Sequence, residues 1–354
     1  MRRKILIIVP RLIGGGSEKV LTTIASSLDP ARFEVHLAVL AGSRQSEAPF
    51  PSSVKIDNFG QKQLRYAFPS LLRAFWKLRP HVAVSAGGPS GILALIAARL
   101  ASRQTRLIVR QGTMSKNSVA TENAWRTRIY GWSLRHADQV ICQAEAMARD
   151  VIQAFGVPSR KIHVLYNPVF TPNVATRKRM TTSAPGFLVV SRLAAEKRID
   201  LVIRAFAIAK KHHNRATLTI VGDGPCRRTL EELAEREAME GIVFAGYQRD
   251  PAVWMKNSDL LVMASRYEGL PNVALEAVSL GLPVVALACP GGLAEIAETT
   301  DTITLVRDDD AQSLAAAMIK TVADRRASEA VSKTFWTRFG LHQVLEEYER
   351  VLAS

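Results

Sequence analysis

The run EGLPNVALE, residues 268–276, carries a glutamate at each end of a mostly apolar segment. DLLVMAS before it reads as a strand and PNVALEAVSLG as a helix. Glu268 therefore falls in the loop before the helix, Pro271 near its first turn, and Glu276 in about the second turn, by the 3.6-residue period. A ligand poised at that helix end meets both carboxylates and the N–H groups of Gly269, Leu270 and Asn272. Carboxylate oxygens accept hydrogen bonds and so suit sugar hydroxyls. Glu268 also has a plainer role as the acidic partner of the helix dipole. For Glu276 that alternative is weaker, because its neighbours are apolar and a buried carboxylate without a partner is costly.

Cations stand upstream, in SRLAAEKR. Arg192 follows a predicted strand and Lys197 begins the next predicted helix. A guanidinium offers phosphate a fork of donors and an ammonium a point charge, so together they neutralise a diphosphate without metal. Taken singly, each reads equally as a solvated charge near Glu196. In VGDGP, Gly222 and Gly224 flank Asp223, with Pro225 at the first position of the following helix. Such a turn serves the fold or a ligand. CPGGLAE repeats the device with Gly291, Gly292 and Glu295. Near the start, Gly14, Gly15 and Gly16 precede Ser17, a candidate N-cap. Glycines permit close approach to the backbone and helix N–H groups favour an anion. The pattern is not G-x-G-x-x-G, and a tight strand-to-helix turn also calls for glycine.

The elements that must position these loops are short apolar runs alternating with amphipathic stretches. KILIIV, FEVHLAVL, VKIDNF, HVAVSA, RLIVR, QVICQ and KIHVLY read as strands. Helices are predicted over 17–28, 62–79, 90–102, 121–136 and 144–155. Residues 169–185 break the pattern with proline, threonine and a basic cluster, and read as a linker. Alternation then resumes with FLVVS, TLTIVG, IVFAG, DLLVMAS, PVVALA and TITLV. The pattern predicts two doubly wound, parallel-sheet α/β domains, residues 1–168 and 186–336, and a C-terminal helix within 337–354 that packs back on the first domain. Ligands bind beyond the carboxyl ends of such strands, and two such domains put the expected site in the cleft between them.

The chain has 354 residues and a net charge of +15. Residues 1–180 hold 27 Lys and Arg against 9 Asp and Glu, and the remainder 20 against 23. The first half therefore points to an anionic partner, with solubility as the plainer explanation. Two stretches, QKQLRYAFPSLLRAFWKLRP and AWRTRIYGWSLRH, mix cations with aromatics. Each fits an anionic bilayer surface or a helix packing its apolar stripe on the sheet. The three cysteines are scattered, which argues against a disulfide framework or zinc site and suits a reducing cytoplasm. MRRKILIIVPR is too short in its apolar part for a secretory signal, and no run reaches transmembrane length.

Taken in order, the glycine-rich first loop, LYNP at 165–168, SRLAAEKR, VGDGP, EGLPNVALE and PGGLAEI resemble the family 4 glycosyltransferases, group 1, of the GT-B fold. The resemblance covers nearly the whole chain and is most specific in the second domain. It implies a hexosyltransferase that moves a sugar from a UDP- or GDP-linked donor, with retention and without metal or other cofactor. By residue match Arg192 and Lys197 would bind the diphosphate, Glu276 the ribose, and Glu268 the donor sugar beside Gly269, Leu270 and Asn272. Glu268, Arg192 and Lys197 would be the catalytic set. Gly15 and Gly16 would approach the phosphate, and Gly222 and Tyr247 would complete the donor site, Tyr247 by the base. Acceptors of the family type are lipid-linked oligosaccharide, lipopolysaccharide or exopolysaccharide precursors. A cytoplasmic enzyme, peripheral on the inner face of an anionic membrane, would meet them.

The sequence departs from the family at one point. Many relatives place a histidine after the fifth strand of the first domain, where this chain has Arg110 and Gln111. His36, His81 and His136 do not fit that place, so no histidine base is assigned, and Arg110 is a candidate donor or acceptor contact. Three other readings compete. A GT-B nucleotide-sugar epimerase that hydrolyses its donor would share these motifs. A nucleic-acid-binding protein would explain the charge but lacks a recognition motif, so no nucleic-acid partner is expected. A nicotinamide dehydrogenase would require the missing G-x-G-x-x-G.

Overall fold

The computed structural model describes residues 2–12, 16–42, 50–101, 104–114, 124–170, 184–237, 240–324 and 331–354. Contacts divide the chain into two units, Met1–Pro168 with Leu341–Ser354, and Val169–Gly340. Of the linker expected at 169–185, residues 171–183 lie outside the described residues.

The first unit holds β1 (Arg3–Val9), β2 (Phe33–Ala41), β3 (Val54–Gln61), β4 (Val82–Ala86), β5 (Arg106–Arg110), β6 (Gln139–Cys142) and β7 (Ile162–Val164). All pairs are parallel, in the order β3-β2-β1-β4-β5-β6-β7. Its helices are α1 (Gly16–Ser27), α2 (Phe68–Leu78), α3 (Pro89–Ala101), α4 (Ala124–His136) and α5 (Glu145–Phe155). β1 shows why the sheet forms: Ile5, Leu6, Ile7, Ile8 and Val9 are all buried, so both faces of the strand are covered. An unbroken apolar strand is what a parallel sheet between two helical layers requires.

The second unit repeats the plan with β8 (Gly186–Val190), β9 (Thr217–Val221), β10 (Ile242–Gly246), β11 (Leu260–Met263), β12 (Val284–Leu287) and β13 (Ile303–Val306). These too are parallel, in the order β10-β9-β8-β11-β12-β13. Its helices are α6 (Ile199–His212), α7 (Arg227–Arg236), α8 (Ala252–Lys256), α9 (Asn272–Ser279), α10 (Leu293–Ala297), α11 (Ala311–Ala323) and α12 (Lys333–Phe339). One core joins Phe187, Val189, Ile220 and Val262 of the strands to Ile203 and Phe206 of α6 and to Leu314 and Met318 of α11.

The last helix, α13 (Leu341–Ala353), belongs to the first unit. Its Val344, Tyr348 and Leu352 join α1 residues Leu21 and Ile24 and the β1 residues Ile5 and Ile7 in a single core. The last helix expected within 337–354 runs Leu341–Ala353, set off from α12 by Gly340, whose φ of −60° and ψ of 140° are extended. Residues 337–339 close α12 in the second unit instead. The two parallel α/β sheets are those of a GT-B fold.

Candidate active site

In the second sheet β8 and β11 are neighbours, but the connections leave them toward opposite edges. That is a topological switch point, where the loops beyond the strand ends diverge and leave room for a ligand. The loop after β8 carries Arg192 and Lys197, and the loop after β11 carries Glu268. Strand order thus brings together residues far apart in sequence. Lys197 Nζ donates to Glu268 Oε1 at 2.6 Å, and Ser265 Oγ donates to the same oxygen at 2.6 Å. Both members of the ion pair are largely but not wholly buried. Arg192 is more exposed and pairs with Glu196.

Backbone contacts lock the loops. Arg266 N–H donates to Glu196 O at 2.8 Å, tying the β11 loop to the β8 loop. Glu268 N–H donates to Pro290 O at 3.0 Å, and Gly292 N–H to Gly269 O at 2.6 Å, tying it to the loop after β12. Gly291 is required there: its φ is +125°, and a Cβ would lie 1.8 Å from Glu268 O. Gly222 plays the same part on the other side, with φ +137° and a virtual Cβ 1.8 Å from Ser191 O. A Cβ on Gly224 would lie 2.4 Å from Leu193 O. Both glycines therefore serve the packing that holds the Arg192 loop. Arg198, with φ +49°, turns the chain from that loop into α6 and pairs with Asp309. A left-handed arginine costs roughly 1–2 kcal/mol, the kind of strain that gathers at functional loops.

α9 begins at Asn272 with Pro271 as N-cap and no side-chain cap, so its dipole end faces the Glu268 loop. Glu276 stands one turn into α9 and is half-buried. Leu270 and Gly269 are buried, and Asn272 half-buried. Tyr247 follows β10 and is exposed. Cys289 lies close enough to sense this group: burial, then the Glu268 charge, pushes its thiol up to about 12, and Lys197 opposes the rise. Burial, then Glu196, also raises the Tyr267 hydroxyl. The result is a cation, a carboxylate and a helix N-terminus at one switch point, suited to a ligand with both anionic and hydroxylated parts.

Several local expectations are corrected. Lys197 ends a short 3-10 turn, Ala195–Lys197, and α6 starts only at Ile199, because Arg198 reverses the backbone. α7 starts at Arg227, so Pro225 precedes the helix rather than opening it. Ser17 sits inside α1, which begins at Gly16. Gly14 and Gly15 lie outside the described residues. Ser265 was missed by sequence reasoning; its signal is its place three residues before Glu268 on the loop side of β11.

Arg110, expected at a ligand, is instead wholly buried. Its Nε donates to Tyr348 Oη at 3.2 Å, one terminal nitrogen to Ser17 Oγ at 2.9 Å, and the other to Asn167 Oδ1 at 2.5 Å. Asn167 Nδ2 donates to Gln143 Oε1 at 3.0 Å, and Gln143 Nε2 to Gln111 O at 2.8 Å. Tyr130 donates to Gln111 Oε1, and burial raises its hydroxyl. This network fastens α13, α1 and the ends of β5, β6 and β7. Gln111 is likewise buried, donating to Thr113 O at 2.7 Å.

Comparison with known proteins assigns the class. Residues 14–173 match the family model "Glycosyltransferase Family 4" and residues 184–324 match "Glycosyl transferases group 1". The chain belongs to this family and is a hexosyltransferase-type glycosyltransferase. A full-length relative is the N-acetylgalactosamine-N,N'-diacetylbacillosaminyl-diphospho-undecaprenol 4-alpha-N-acetylgalactosaminyltransferase of Campylobacter jejuni, 24% identical over 95% of this chain and 94% of that one. The lipopolysaccharide core biosynthesis glycosyltransferase LpsE of Rhizobium meliloti is 29% identical over 62% of this chain and 65% of its own. An uncharacterized glycosyltransferase of Methanocaldococcus jannaschii is 36% identical, but the match spans 31% of this chain and 27% of that protein. Among solved structures, Anabaena Alr3699/HepE in complex with UDP-glucose superposes with a TM-score of 0.81 at 19% identity, covering 99% of both chains. Sucrose-phosphate synthase from Thermosynechococcus elongatus gives 0.81 at 18%, covering 99% and 98%. These likenesses establish the fold.

Proposed function

We propose that the enzyme transfers a sugar, with retention, from a UDP- or GDP-linked donor to a lipid-linked oligosaccharide, lipopolysaccharide or exopolysaccharide precursor. The observation that carries the donor half is the Lys197–Glu268–Ser265 cluster on the loop that leads into the N-terminus of α9. On this reading Arg192 and Lys197 meet the diphosphate together with the α9 N-terminus. Glu268 receives hydroxyls of the sugar and Glu276 those of the ribose. Tyr247 stands by the base.

Charge decides the chemistry. As the glycosidic bond breaks, negative charge gathers on the departing diphosphate, and preorganised cations and a helix end stabilise that charge more than the ground state. The acceptor hydroxyl attacks from the face the diphosphate leaves, and the leaving phosphate takes its proton. The reading needs no metal. Acceptor class is supported by what relatives are named for, undecaprenol-linked and lipopolysaccharide core glycans. On this reading the enzyme works at the inner face of the cytoplasmic membrane, where such acceptors are carried. Among the described residues no helix is long and apolar enough to cross a bilayer.

Calorimetry with a panel of nucleoside diphosphates, with and without chelator, tests this. Binding of UDP or GDP that persists in chelator and is lost in Glu276→Ala and Arg192→Ala is the expected outcome. A folded protein that binds no nucleoside diphosphate would refute the donor assignment.

A further inference from the structure

We propose that Arg198 is a positioning residue for Lys197: its ion pair with Asp309 holds a left-handed turn that aims the Lys197 ammonium at Glu268. This rests on the donor reading above, in which Lys197 meets the diphosphate. Among the described residues Arg79 and Arg198 are the only non-glycine residues at positive φ. Arg79 is exposed and ends α2, its N–H donating to Phe75 O. Arg198 both closes the 3-10 turn Ala195–Lys197 and opens α6, at φ 49° and ψ 45°. Glycine adopts that conformation at no steric cost, and the chain uses it so at Gly156, which ends α5 at φ 63°. An arginine here brings what glycine cannot, a guanidinium that donates to Asp309. The Arg198 side chain is only 18% exposed, so it is packed in place rather than swinging in solvent.

Asp309 is a fixed anchor. It lies between β13 and α11, one residue before Asp310, which caps α11 by accepting from Ser313 N–H at 2.8 Å and Ser313 Oγ at 3.0 Å. α11 in turn shares a core with α6 through Leu314, Met318, Ile203 and Phe206. Asp309 itself is 69% exposed, and a pair so open to water adds little stability. Its part is direction. The turn that carries Lys197 is pinned at both ends: Glu196 O accepts from Arg266 N–H at 2.8 Å on the β11 side, and Arg198 reaches Asp309 on the β13 side. Between these pins Lys197 N–H donates to Ala194 O at 2.9 Å, and Lys197 Nζ reaches Glu268 at 2.6 Å. A lysine stem is flexible, so where its ammonium rests follows from how the backbone launches it. Released from Asp309, Arg198 would relax toward the right-handed conformation that L-residues prefer. α6 would then run back into Lys197, and the ammonium would leave Glu268.

The test reads Lys197 directly and then through the nucleotide. Acetylation of the full chain by an N-hydroxysuccinimide ester, followed by peptide mass spectrometry, measures how far Glu268 protects Lys197. The exposed Lys333 of the same unit is the internal reference. Arg198→Gly and Asp309→Asn should each speed acetylation of Lys197 by at least ~5-fold and leave Lys333 unchanged. Arg198→Gly keeps the left-handed turn open to the backbone, so the change reports the lost tether. Calorimetry with UDP and GDP then compares Arg198→Gly, Lys197→Met and the double variant. Arg198→Gly should weaken the nucleotide that binds by about 5- to 10-fold in the wild-type background, and by less than ~2-fold in the Lys197→Met background. A residue that acts through Lys197 has nothing to act on once the ammonium is gone. A residue that merely supported the fold would weaken both backgrounds equally, and that result overturns the proposal. Lys197 acetylation that neither variant changes overturns it as well. Nucleotide affinity untouched by Lys197→Met refutes the donor reading instead, and the acetylation rates still decide whether Arg198 positions the lysine.

Discussion

Gly291→Ala is the sharpest perturbation of the active-site loops. The added methyl would lie 1.8 Å from Glu268 O and 2.8 Å from its carbonyl carbon, both backbone atoms that cannot swing aside. The residue also sits at φ +125°, where an L side chain costs about 1–3 kcal/mol. Relieving the clash separates the β12 loop from the Glu268 loop and breaks two hydrogen bonds, Glu268 N–H to Pro290 O and Gly292 N–H to Gly269 O. Each is worth about 0.5–1.5 kcal/mol. The sum is roughly 2–6 kcal/mol, and its middle lowers the melting temperature of a unit this size by about 8–16 °C. Gly42→Ala is the control: φ there is +118°, with nothing among the described residues within 4 Å of the added methyl. It pays the backbone strain alone. Scanning calorimetry with and without UDP reads both effects, since the transition that the nucleotide shifts reports the unit that binds it. Gly291→Ala should lower that transition and weaken UDP by more than tenfold. Equal melting and equal affinity for the two alanine variants would refute the reasoning.

Three further outcomes are expected. Lys197→Met removes the cation 2.6 Å from Glu268 while Ser265 stays; the loss of a charge-assisted bond, about 1.5–3 kcal/mol, predicts a 10- to 100-fold fall in kcat/KM with wild-type folding by circular dichroism. Tyr348→Phe keeps the buried ring but removes the acceptor facing Arg110, so the first unit should lose about 1–3 kcal/mol in denaturant titration while calorimetric nucleotide affinity stays the same. The Cys289 thiol, raised to about 12 in the folded chain, favours the protonated form there. Its contribution to stability is whole below the unfolded thiol value near ~8.5 and is lost as pH rises through about 12. Cys289→Ala should therefore flatten the alkaline fall in melting temperature, and the wild-type thiol should resist iodoacetamide at pH ~8.5.

How much of this was legible in the chain follows from range. The strands, the helices that alternate with them and the loop setting of Glu268 rest on local pattern, and the structure reproduces them. The bond from Lys197 to Glu268 rests on strand order, β8 beside β11, which no periodicity encodes. Helix starts failed where the backbone did something that propensity does not record, as at Arg198. Gly222 and Gly291 could be read only as turns, because what they accommodate, the carbonyls of Ser191 and Glu268, comes from another loop.

Arg110 shows the same limit in side-chain chemistry. Arg110 is a candidate ligand contact because it stands where many relatives have a histidine, and a buried cation is costly unless its donors are met. Its partners come from residues 17, 167 and 348, and only the return of α13 to the first unit assembles them. Phe335 and Phe339 are buried in the second unit, while Val344 and Tyr348 join the core of the first. The extended Gly340 ends α12, and Phe339 O accepts from Val169 N–H at 2.8 Å, pairing the returning segment with the outgoing one. α13, which follows that break, brings Tyr348 to the buried guanidinium of Arg110, whose Nε donates to it.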